Sequence, residues 1–270
     1  MATILEARDL DKRFGAVVAA RRISAAIEQE SVVGLIGTNG AGKTTFLNLI
    51  TGYLKPDLGS IHYAGRNVTA LAPRAITRLG ICRSFQIPQL YNSLTVFENV
   101  SIGLGVVLRN AGRGGFFQRG VPKVPGYDAS AADVADHLLE RFGLTRYRDR
   151  AAQALPGGLR KLLDIALTMI AKPKVLLLDE PTSGVSVEEK FGIMEIVMSA
   201  VRAERATVLF VEHDMEVVSR FAERVLAFYD GAIIADGPPA AALAAPEVQK
   251  YVVGGELRRM DENRARPPHA

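Results

Sequence analysis

The sequence predicts an α/β protein with a mostly parallel sheet. Short apolar segments alternate with helical patterns in the second half of the chain, as in Lys174–Leu178 followed by Val187–Ala203. A glycine-rich loop lies between a predicted strand and a predicted helix near the N-terminus. Apolar residues make up 48% of the 270 residues and charged residues 23%, so the chain can bury a large core. This length allows one large domain or two small ones.

The first third of the chain is predicted to consist mainly of strands. The predicted elements are strand Ile4–Leu10, a turn at Lys12–Gly15, strand Ile23–Glu28, buried strand Ser31–Ile36, a helix from Lys43 to Gly52, and edge strands Gly59–Tyr63 and Asn67–Val68. The glycine at position 52 is a typical helix stop, which sets the end of the predicted helix.

The remainder is predicted to be mainly helical from Pro73 to about Ala171, with a loop-rich, basic insertion at residues 103–128. The later predicted elements are helix Ala129–Phe142, strand Lys174–Leu178, helix Val187–Ala203, strand Thr207–Val211, helix Asp214–Phe221, and strands Arg224–Tyr229 and Ala232–Ala235. Residues 255–270 are charged and rich in proline at the end, and they are predicted to form a mobile tail.

Bulk composition excludes several classes of protein. The single cysteine, Cys82, rules out a disulfide framework and a cysteine zinc site, and it is predicted to be a small packing residue. The net charge of +4 is weak evidence for nucleic acid, because acids and bases are interspersed. An anionic membrane surface would use such a charge equally well. No signal peptide is visible and no apolar run could span a bilayer, so a membrane function would need another chain.

The segment Gly37–Thr45 has the spacing of a phosphate-binding loop: glycine, four residues, glycine, lysine and hydroxyl. Glycines let the backbone N–H groups approach phosphate oxygens, and the helix that follows directs its positive end to the same place. Lys43 is expected to neutralise the β- and γ-phosphates, and the Thr44 hydroxyl to ligate Mg²⁺. The sequence therefore predicts ATP binding. An ordinary glycine-rich turn is the alternative.

Three further polar residues lie at predicted strand ends or loops. Asp179 and Glu180 end an apolar strand, where Asp179 could hold Mg²⁺ through water and Glu180 could orient or deprotonate an attacking water. His213 follows another apolar strand and could donate a hydrogen bond to the γ-phosphate, although a lone histidine is more often structural. Ligands of α/β sheets bind beyond the carboxyl ends of strands, so these residues are expected to converge there.

Motifs in this order resemble the ATPase subunit of ATP-binding-cassette (ABC) transporters, over about residues 3–254. Beyond the phosphate loop, the resemblance rests on Gln86 as the Q-loop, Leu155–Gly158 at the signature motif, Leu178–Gly184, and Val211–Met215 as the H-switch. The stretches Arg83–Gln86 and Leu94–Val100, the long insertion, and the ending Val248–Gly254 resemble the branched-chain amino acid importer group. The chain is thus identified as a member of this family.

The resemblance implies a P-loop NTPase (RecA-like) core with a parallel sheet, an N-terminal antiparallel β-subdomain and an inserted helical subdomain at about residues 87–171. It implies that Phe14 stacks on adenine, although an aromatic before a turn glycine could equally be a core anchor. It implies that Gln86 contacts Mg²⁺ and the attacking water. The implied ATP-binding residues are Phe14, Gly37, Thr38, Asn39, Gly40, Ala41, Gly42, Lys43, Thr44, Thr45, Gln86, Asp179 and His213, with Gly157 and Gly158 of the signature motif. The implied catalytic residues are Lys43, Gln86, Glu180 and His213, and the implied metal ligands are Thr44, Gln86 and Asp179.

The same resemblance implies particular partners and a location. ATP would be closed off by a second ABC ATPase subunit, and closure would act on membrane-spanning permease subunits, with a periplasmic solute-binding protein involved indirectly. The implied location is peripheral, at the cytoplasmic face of a bacterial inner membrane, and no nucleic-acid partner is expected. Branched-chain amino acids or related small solutes would be transported.

Two departures from the family pattern lie in parts that serve the partner's ATP. Pro156 and Leu159 replace the usual Ser and Gln of the signature motif, and Ser186 stands where the D-loop usually has Asp or Asn. The groups that serve this chain's own ATP are all present. We therefore expect an asymmetric heterodimer, with stronger hydrolysis at this chain's own phosphate loop.

Two other functional classes compete with the transporter interpretation. A regulatory or structural subunit would close on ATP without turnover, and Glu180 argues against it. A soluble cassette ATPase that acts on ribosomes or DNA usually carries two cassettes, coiled coils or zinc cysteines, and this sequence has none of these.

Overall fold

The computed structural model describes residues 2–84, 88–110 and 129–254. In chain order the strands are β1 (Thr3–Phe14), β2 (Val17–Glu28), β3 (Val32–Gly37), β4 (Leu58–Tyr63), β5 (Arg66–Asn67), β6 (Ile81–Ser84), β7 (Val175–Asp179), β8 (Thr207–Val211), β9 (Arg224–Tyr229) and β10 (Ala232–Gly237). The α-helices are α1 (Lys43–Ile50), α2 (Pro73–Leu79), α3 (Val96–Asn110), α4 (Ala131–Arg141), α5 (Gly157–Met169), α6 (Val187–Ala203), α7 (Met215–Phe221), α8 (Pro239–Ala244) and α9 (Pro246–Val248).

The chain divides into two compact units. The first unit consists of residues 1–79 and 207–270, and the second unit of residues 80–206. The mixture of parallel strands, an antiparallel sheet and helices confirms the predicted α/β class.

The first unit contains an antiparallel sheet in the order β2-β1-β4-β5. Strands β1 and β2 form a hairpin that pairs Phe14 with Val17, so the strands continue through most of the predicted turn at Lys12–Gly15. That prediction was wrong for Lys12 to Phe14, because ladder hydrogen bonds with β2 hold these residues extended. Only residues 15 and 16 form the turn, and Gly15 takes the left-handed conformation there, at φ 58°.

Parallel pairing in the first unit surrounds β3, which lies between β8 and β9. All residues of β3 and β8 are buried, as expected for strands covered on both faces. Helix α1 packs on this sheet through Phe46, whose ring lies 5.5 Å from that of Phe228 on β9. The carboxyl ends of β3 and β8 therefore lie at one edge, and the chain leaves β3 there into the glycine-rich loop.

In the second unit β6 and β7 pair in parallel, with Ile81 opposite Val175 and Ser84 opposite Leu178. Strand β6 falls inside the region predicted to be mainly helical, so that part of the prediction was wrong. Its four residues are too short for a periodic signal, and the pairing with β7, more than 90 residues away, decides their conformation. Helix α5 packs against α3, α6 and β6, and forms the centre of this unit.

The first part of the predicted loop-rich insertion at residues 103–128 is helical up to residue 110. Helix α3 continues to Asn110, and Gly103 lies in its middle, where a side chain would meet Ile170 and Leu167. Close packing therefore explains a glycine that the sequence alone marked as loop. Residues 111–128 and the predicted tail at 255–270 lie outside the described residues.

The chain after β10 is more helical than predicted. Helices α8 and α9 precede a π-helical turn at Gln249–Val253, and Tyr251 stacks on Tyr229 with ring centroids 4.3 Å apart. Among the described residues, no helix combines the length and the apolar character needed to cross a bilayer.

Candidate functional site

Glycine is required at both ends of the loop that follows β3. Gly37 has φ 147°, and a Cβ atom there would lie 2.4 Å from the Phe228 carbonyl oxygen. Gly42 has φ 105°, and a Cβ atom there would lie 2.8 Å from the Ala19 carbonyl oxygen. These carbonyls belong to backbone, which cannot move aside cheaply, so the loop conformation depends on the absence of side chains.

Helix α1 begins directly after the loop with an uncapped N-terminus. Gly42 is the N-cap residue and offers no side chain to the helix, and the first turn contains no acidic residue. The first N–H groups of a helix have no intrahelical acceptor, and the helix dipole adds positive potential there. The N-terminus of α1 is therefore suited to an anion such as a phosphate group.

Lys43 places a cation within this loop although it is only 6% exposed. Its Nζ donates to the Gly37 carbonyl oxygen at 2.5 Å and to the Thr38 carbonyl oxygen at 3.1 Å. These two hydrogen bonds hold the ammonium group beside the residues that begin the loop. Thr44 is exposed and Thr45 half-buried on the first turn of α1. The other loop residues are half-buried Thr38, exposed Asn39, exposed Gly40 at φ 81°, and buried Ala41.

His213 follows β8 at the same edge of the sheet. Leu35 of β3 is opposite Val211 of β8, so the parallel register sets His213 level with Gly37. The histidine is half-buried, and its backbone N–H donates to the Glu212 carboxylate at 3.3 Å. The end of β8, which His213 follows, therefore lies at the same sheet edge as the beginning of the loop.

Phe14 is 49% exposed at the end of β1, in a hairpin partnered by Val17. This exposure excludes the core-anchor alternative, because a core anchor would be buried. Lys12 Nζ lies 5.7 Å from the Phe14 ring centroid, a cation–π distance. An exposed ring of this kind has a face available for stacking.

In the second unit, Asp179 is the last residue of β7 and Glu180 follows it. Asp179 is 6% exposed, and Glu180 is half-buried in a left-handed conformation at φ 49°. Such a conformation is uncommon for a residue other than glycine and is found disproportionately at functional sites. The Glu180 carbonyl oxygen accepts from the Ser183 N–H at 3.1 Å and so begins a tight turn.

Two buried cations that the sequence did not single out contact Asp179. Arg83 of β6 donates from Nη2 to Asp179 Oδ2 at 2.5 Å, and Lys161 of α5 donates from Nζ to the Asp179 carbonyl oxygen at 3.2 Å. Both side chains have little exposure, and a charge in such a place needs a partner. No signal in the sequence marks either residue as a partner of Asp179, because the fold decides both their burial and the pairing of distant elements. Beside Arg83, burial raises the pKa of the Cys82 thiol to about 11, which confirms Cys82 as a packing residue.

Gly157 and Gly158 are the first two residues of α5, and Pro156 is the N-cap residue. A Cβ atom on Gly158 would lie 2.7 Å from Ile193 Cδ1, whereas one on Gly157 would meet only the Gly184 carbonyl oxygen at 3.3 Å. Packing thus accounts for glycine at 158 more directly than at 157. Ser186 is the N-cap residue of α6, and its Oγ donates to Glu189 at 3.1 Å.

Gln86 lies outside the described residues, together with residues 85 and 87. The chain on both sides of it is held by the second unit. Arg83 contacts Asp179 before it, and after it the Gln89 N–H donates to the Asp164 carboxylate of α5 at 3.0 Å.

Thr44 of the first unit offers a hydroxyl and Asp179 of the second unit a carboxylate, and each is an oxygen ligand of the kind that Mg²⁺ prefers. Among the described residues, no group of three or more His, Cys, Asp or Glu side chains could hold a metal ion alone. Mg²⁺ normally keeps several waters and binds through one or two carboxylates together with substrate phosphates, so a single carboxylate such as that of Asp179 is a suitable ligand.

A phosphate loop between a buried parallel strand and an uncapped helix defines the P-loop class of nucleotide-binding proteins. Comparison with known proteins carries the assignment further. Residues 20–183 match the ABC transporter family. The chain therefore belongs to the ABC transporter family, as an ATPase subunit that binds ATP, and subunits of this kind work with membrane permease subunits.

Individual relatives cover nearly the whole chain. The high-affinity branched-chain amino acid transport ATP-binding protein BraF of Pseudomonas aeruginosa is 34% identical over 251 residues, 93% of this chain and 98% of that protein. LivG of Salmonella typhimurium, with the same description, is 33% identical over 254 residues, with 93% and 98% covered.

Solved structures give the same result. The chain is similar to the ADP conformation of an ATP-binding cassette of an ABC transporter, with TM-score 0.78, 29% identity, and 94% of this chain and 100% of that one covered. It is also similar to cbiO1 of Clostridium perfringens, part of the complex cbiONQ, with TM-score 0.76, 26% identity, and 96% and 98% covered. These similarities confirm the expected ABC ATPase fold.

Proposed function

We propose that this protein hydrolyses ATP to energise an importer of branched-chain amino acids or related small solutes, at the cytoplasmic face of a bacterial inner membrane. The observation that carries the proposal is the glycine-walled loop at Gly37–Thr45, with Lys43 at its mouth and an uncapped helix behind it. The names of the relatives support the solute class. In this proposal residues 3–254 act as one ABC ATPase domain.

Each site residue has a specific task in the proposal. Phe14 stacks on adenine, and the loop backbone with Lys43 binds the β- and γ-phosphates. Thr44, Gln86 and Asp179 hold Mg²⁺, which neutralises phosphate charge when it is bound. Glu180 orients or deprotonates the attacking water, and Gln86 and His213 assist it by contacting the water and the γ-phosphate.

The proposed assembly contains two ATPase subunits beneath the permease subunits, and a periplasmic solute-binding protein delivers the solute. Gly157 and Gly158 face the partner's ATP through the N–H groups that begin α5. Pro156 has no hydroxyl to offer there, and loss of one neutral hydrogen bond costs about 1 kcal/mol. Because Pro156, Leu159 and Ser186 all affect the partner's site, we favour a heterodimer over a homodimer.

The decisive variant for hydrolysis is Glu180→Gln, with Glu188→Gln as its matched control. Glu188 is exposed in the first turn of α6, so its loss changes the same charge without touching the proposed water position. General-base contributions are typically 10²- to 10⁴-fold, so we expect E180Q to lower ATP turnover of the assembled transporter by at least about 100-fold. The affinity for ATP should stay within about 3-fold of wild type.

ATP turnover by the wild type and by E180Q also distinguishes the proposed ATPase from a regulatory subunit. A regulatory subunit that binds ATP without turnover would show no hydrolysis in the wild type and no effect of E180Q. ATP turnover by the wild type with its permease partners, lost in E180Q and kept in E188Q, supports the proposal. Uptake of radiolabelled leucine into vesicles that contain the reconstituted transporter then tests the solute class. Coupled hydrolysis without leucine, isoleucine or valine uptake would overturn that part alone.

A further inference from the structure

Asp179 is held at two separate atoms by two buried cations of the second unit. Arg83 contacts its carboxylate, with the two side chains only 6% and 9% exposed. Lys161, which is 2% exposed, donates to its main-chain carbonyl oxygen at 3.2 Å. The carboxylate and the peptide that leads to Glu180 are therefore both fixed.

The three residues come from three different elements. Arg83 lies on β6 opposite Leu177, so its guanidinium reaches along the strand pair to the end of β7. Lys161 lies one turn beyond Gly157 on α5. Asp164, three residues after Lys161, accepts from the Gln89 N–H at 3.0 Å. Arg83 and Lys161 therefore link the end of β7 to β6 and to α5. Asp164 links α5 in turn to the segment that begins after residue 87.

Fold stability alone explains this arrangement poorly. Burying two charges carries a desolvation cost that their attraction roughly repays, and a well-packed apolar pair often stabilises a fold as well or better. Arg83, through its charge-assisted hydrogen bond to Oδ2, fixes the rotation of the Asp179 carboxylate.

We propose that Arg83 is a positioning residue that orients the Asp179 carboxylate for the metal of bound Mg²⁺-ATP. This inference rests on the proposed metal role of Asp179. Outer residues that orient metal ligands typically change metal affinity by 10- to 100-fold when they are lost. Lys161 fixes the adjoining backbone, whereas Arg83 acts on the carboxylate itself.

The test measures the Mg²⁺ enhancement, defined as the dissociation constant of a fluorescent non-hydrolysable ATP analogue in EDTA divided by that in Mg²⁺. We expect Arg83→Met to lower this enhancement about 10-fold while affinity in EDTA stays within about 2-fold. Arg83→Lys keeps the charge and should recover most of the enhancement. A purely structural role would lower the melting temperature or both affinities together, and would leave their ratio unchanged.

Arg141→Met is the matched control, because Arg141 also forms an ion pair within the second unit, with Glu204 at 2.6 Å. It should leave the enhancement unchanged. If R83M does not fold, Arg83→Gln keeps a donor without the charge and should again lower the enhancement. An unchanged or increased enhancement in a folded, uncharged Arg83 variant overturns the proposal.

Asp179→Asn distinguishes this inference from the function on which it rests. If D179N leaves the enhancement unchanged, the metal role of Asp179 fails, and the inference fails with it. If D179N lowers the enhancement and R83M does not, only the inference fails. Since Arg83 is proposed to act through Asp179, the double variant R83M/D179N should be no worse than D179N, and additive losses would contradict the proposal.

Discussion

The phosphate loop of the first unit is held by backbone, whereas Asp179 of the second unit is held by charged side chains. Around the loop, backbone carbonyls approach Gly37 and Gly42 so closely that a Cβ atom would lie within 3 Å of them. Around Asp179, two buried cations supply the contacts. A loop of backbone N–H groups can bind several phosphate oxygens with little dependence on side chains. A pair of charged side chains, in contrast, orients a single carboxylate. Substitutions in these two sites should therefore have different effects, and the difference can be measured.

The largest expected effect is on the backbone cradle. Gly42→Ala places a Cβ atom 2.8 Å from the Ala19 carbonyl oxygen at φ 105°, so strain and overpacking should lower the free energy of unfolding by about 3 kcal/mol. Gly40→Ala is the control, because at φ 81° it has only conformational strain and no atom within 4 Å, for a loss of about 1 kcal/mol. Urea unfolding measures both. Equal losses would show that the close approach to Ala19 does not matter.

The next largest effect is expected on ATP affinity, when the one charged side chain that we assign to the phosphates is removed. Lys43→Met removes an ammonium that should make charge-assisted hydrogen bonds to phosphate, so ATP affinity should fall about 30-fold. Lys55→Met is the matched control, because Lys55 also donates to a backbone carbonyl oxygen, that of Leu71. It is an exposed residue of the first unit that lies outside the phosphate loop. Isothermal titration with ATP measures both variants. An affinity loss in K55M as large as in K43M would indicate a general charge effect.

A smaller effect is expected at the adenine. Phe14→Ala should weaken ATP about 10-fold, because stacking on a base contributes 1–3 kcal/mol, and it should lower stability by less than about 1 kcal/mol since the ring is half exposed. Val17→Ala changes the partner of Phe14 in the same hairpin and should leave affinity unchanged. Competition between ATP and inorganic triphosphate sharpens the test, because triphosphate binding should not respond to F14A.

The smallest effect is predicted for a glycine of the second unit. Gly157→Ala meets only one carbonyl oxygen at 3.3 Å, so the free energy of unfolding should change by less than about 0.5 kcal/mol. ATP binding by the isolated chain should also be unchanged, because Gly157 is proposed to serve the partner's ATP. A loss of stability close to that of G42A would contradict the contrast between the two units.

The phosphate loop and two strand ends of the candidate site could be predicted from the sequence. The loop at Gly37–Thr45 and the strand ends at Asp179 and Val211 follow from local spacing, because backbone geometry at a turn is set by neighbouring residues. Helix α6 and strands β8 and β9 begin and end as predicted, since their periodicity and length are local properties as well. Strand β6 was missed because four residues carry no period.

The sequence by itself determined that the chain has a phosphate loop, an α/β core and a set of motifs typical of ABC ATPases. Only the tertiary structure decided that Phe14 is exposed, that Glu180 is left-handed, and that Gly103 belongs to a helix. It alone paired Arg83 with Asp179, which are 96 residues apart. Glycine spacing reflects the conformation of the adjacent backbone, which is a local property. The partner of a buried charge is set by packing between distant elements, and no local pattern encodes that partner.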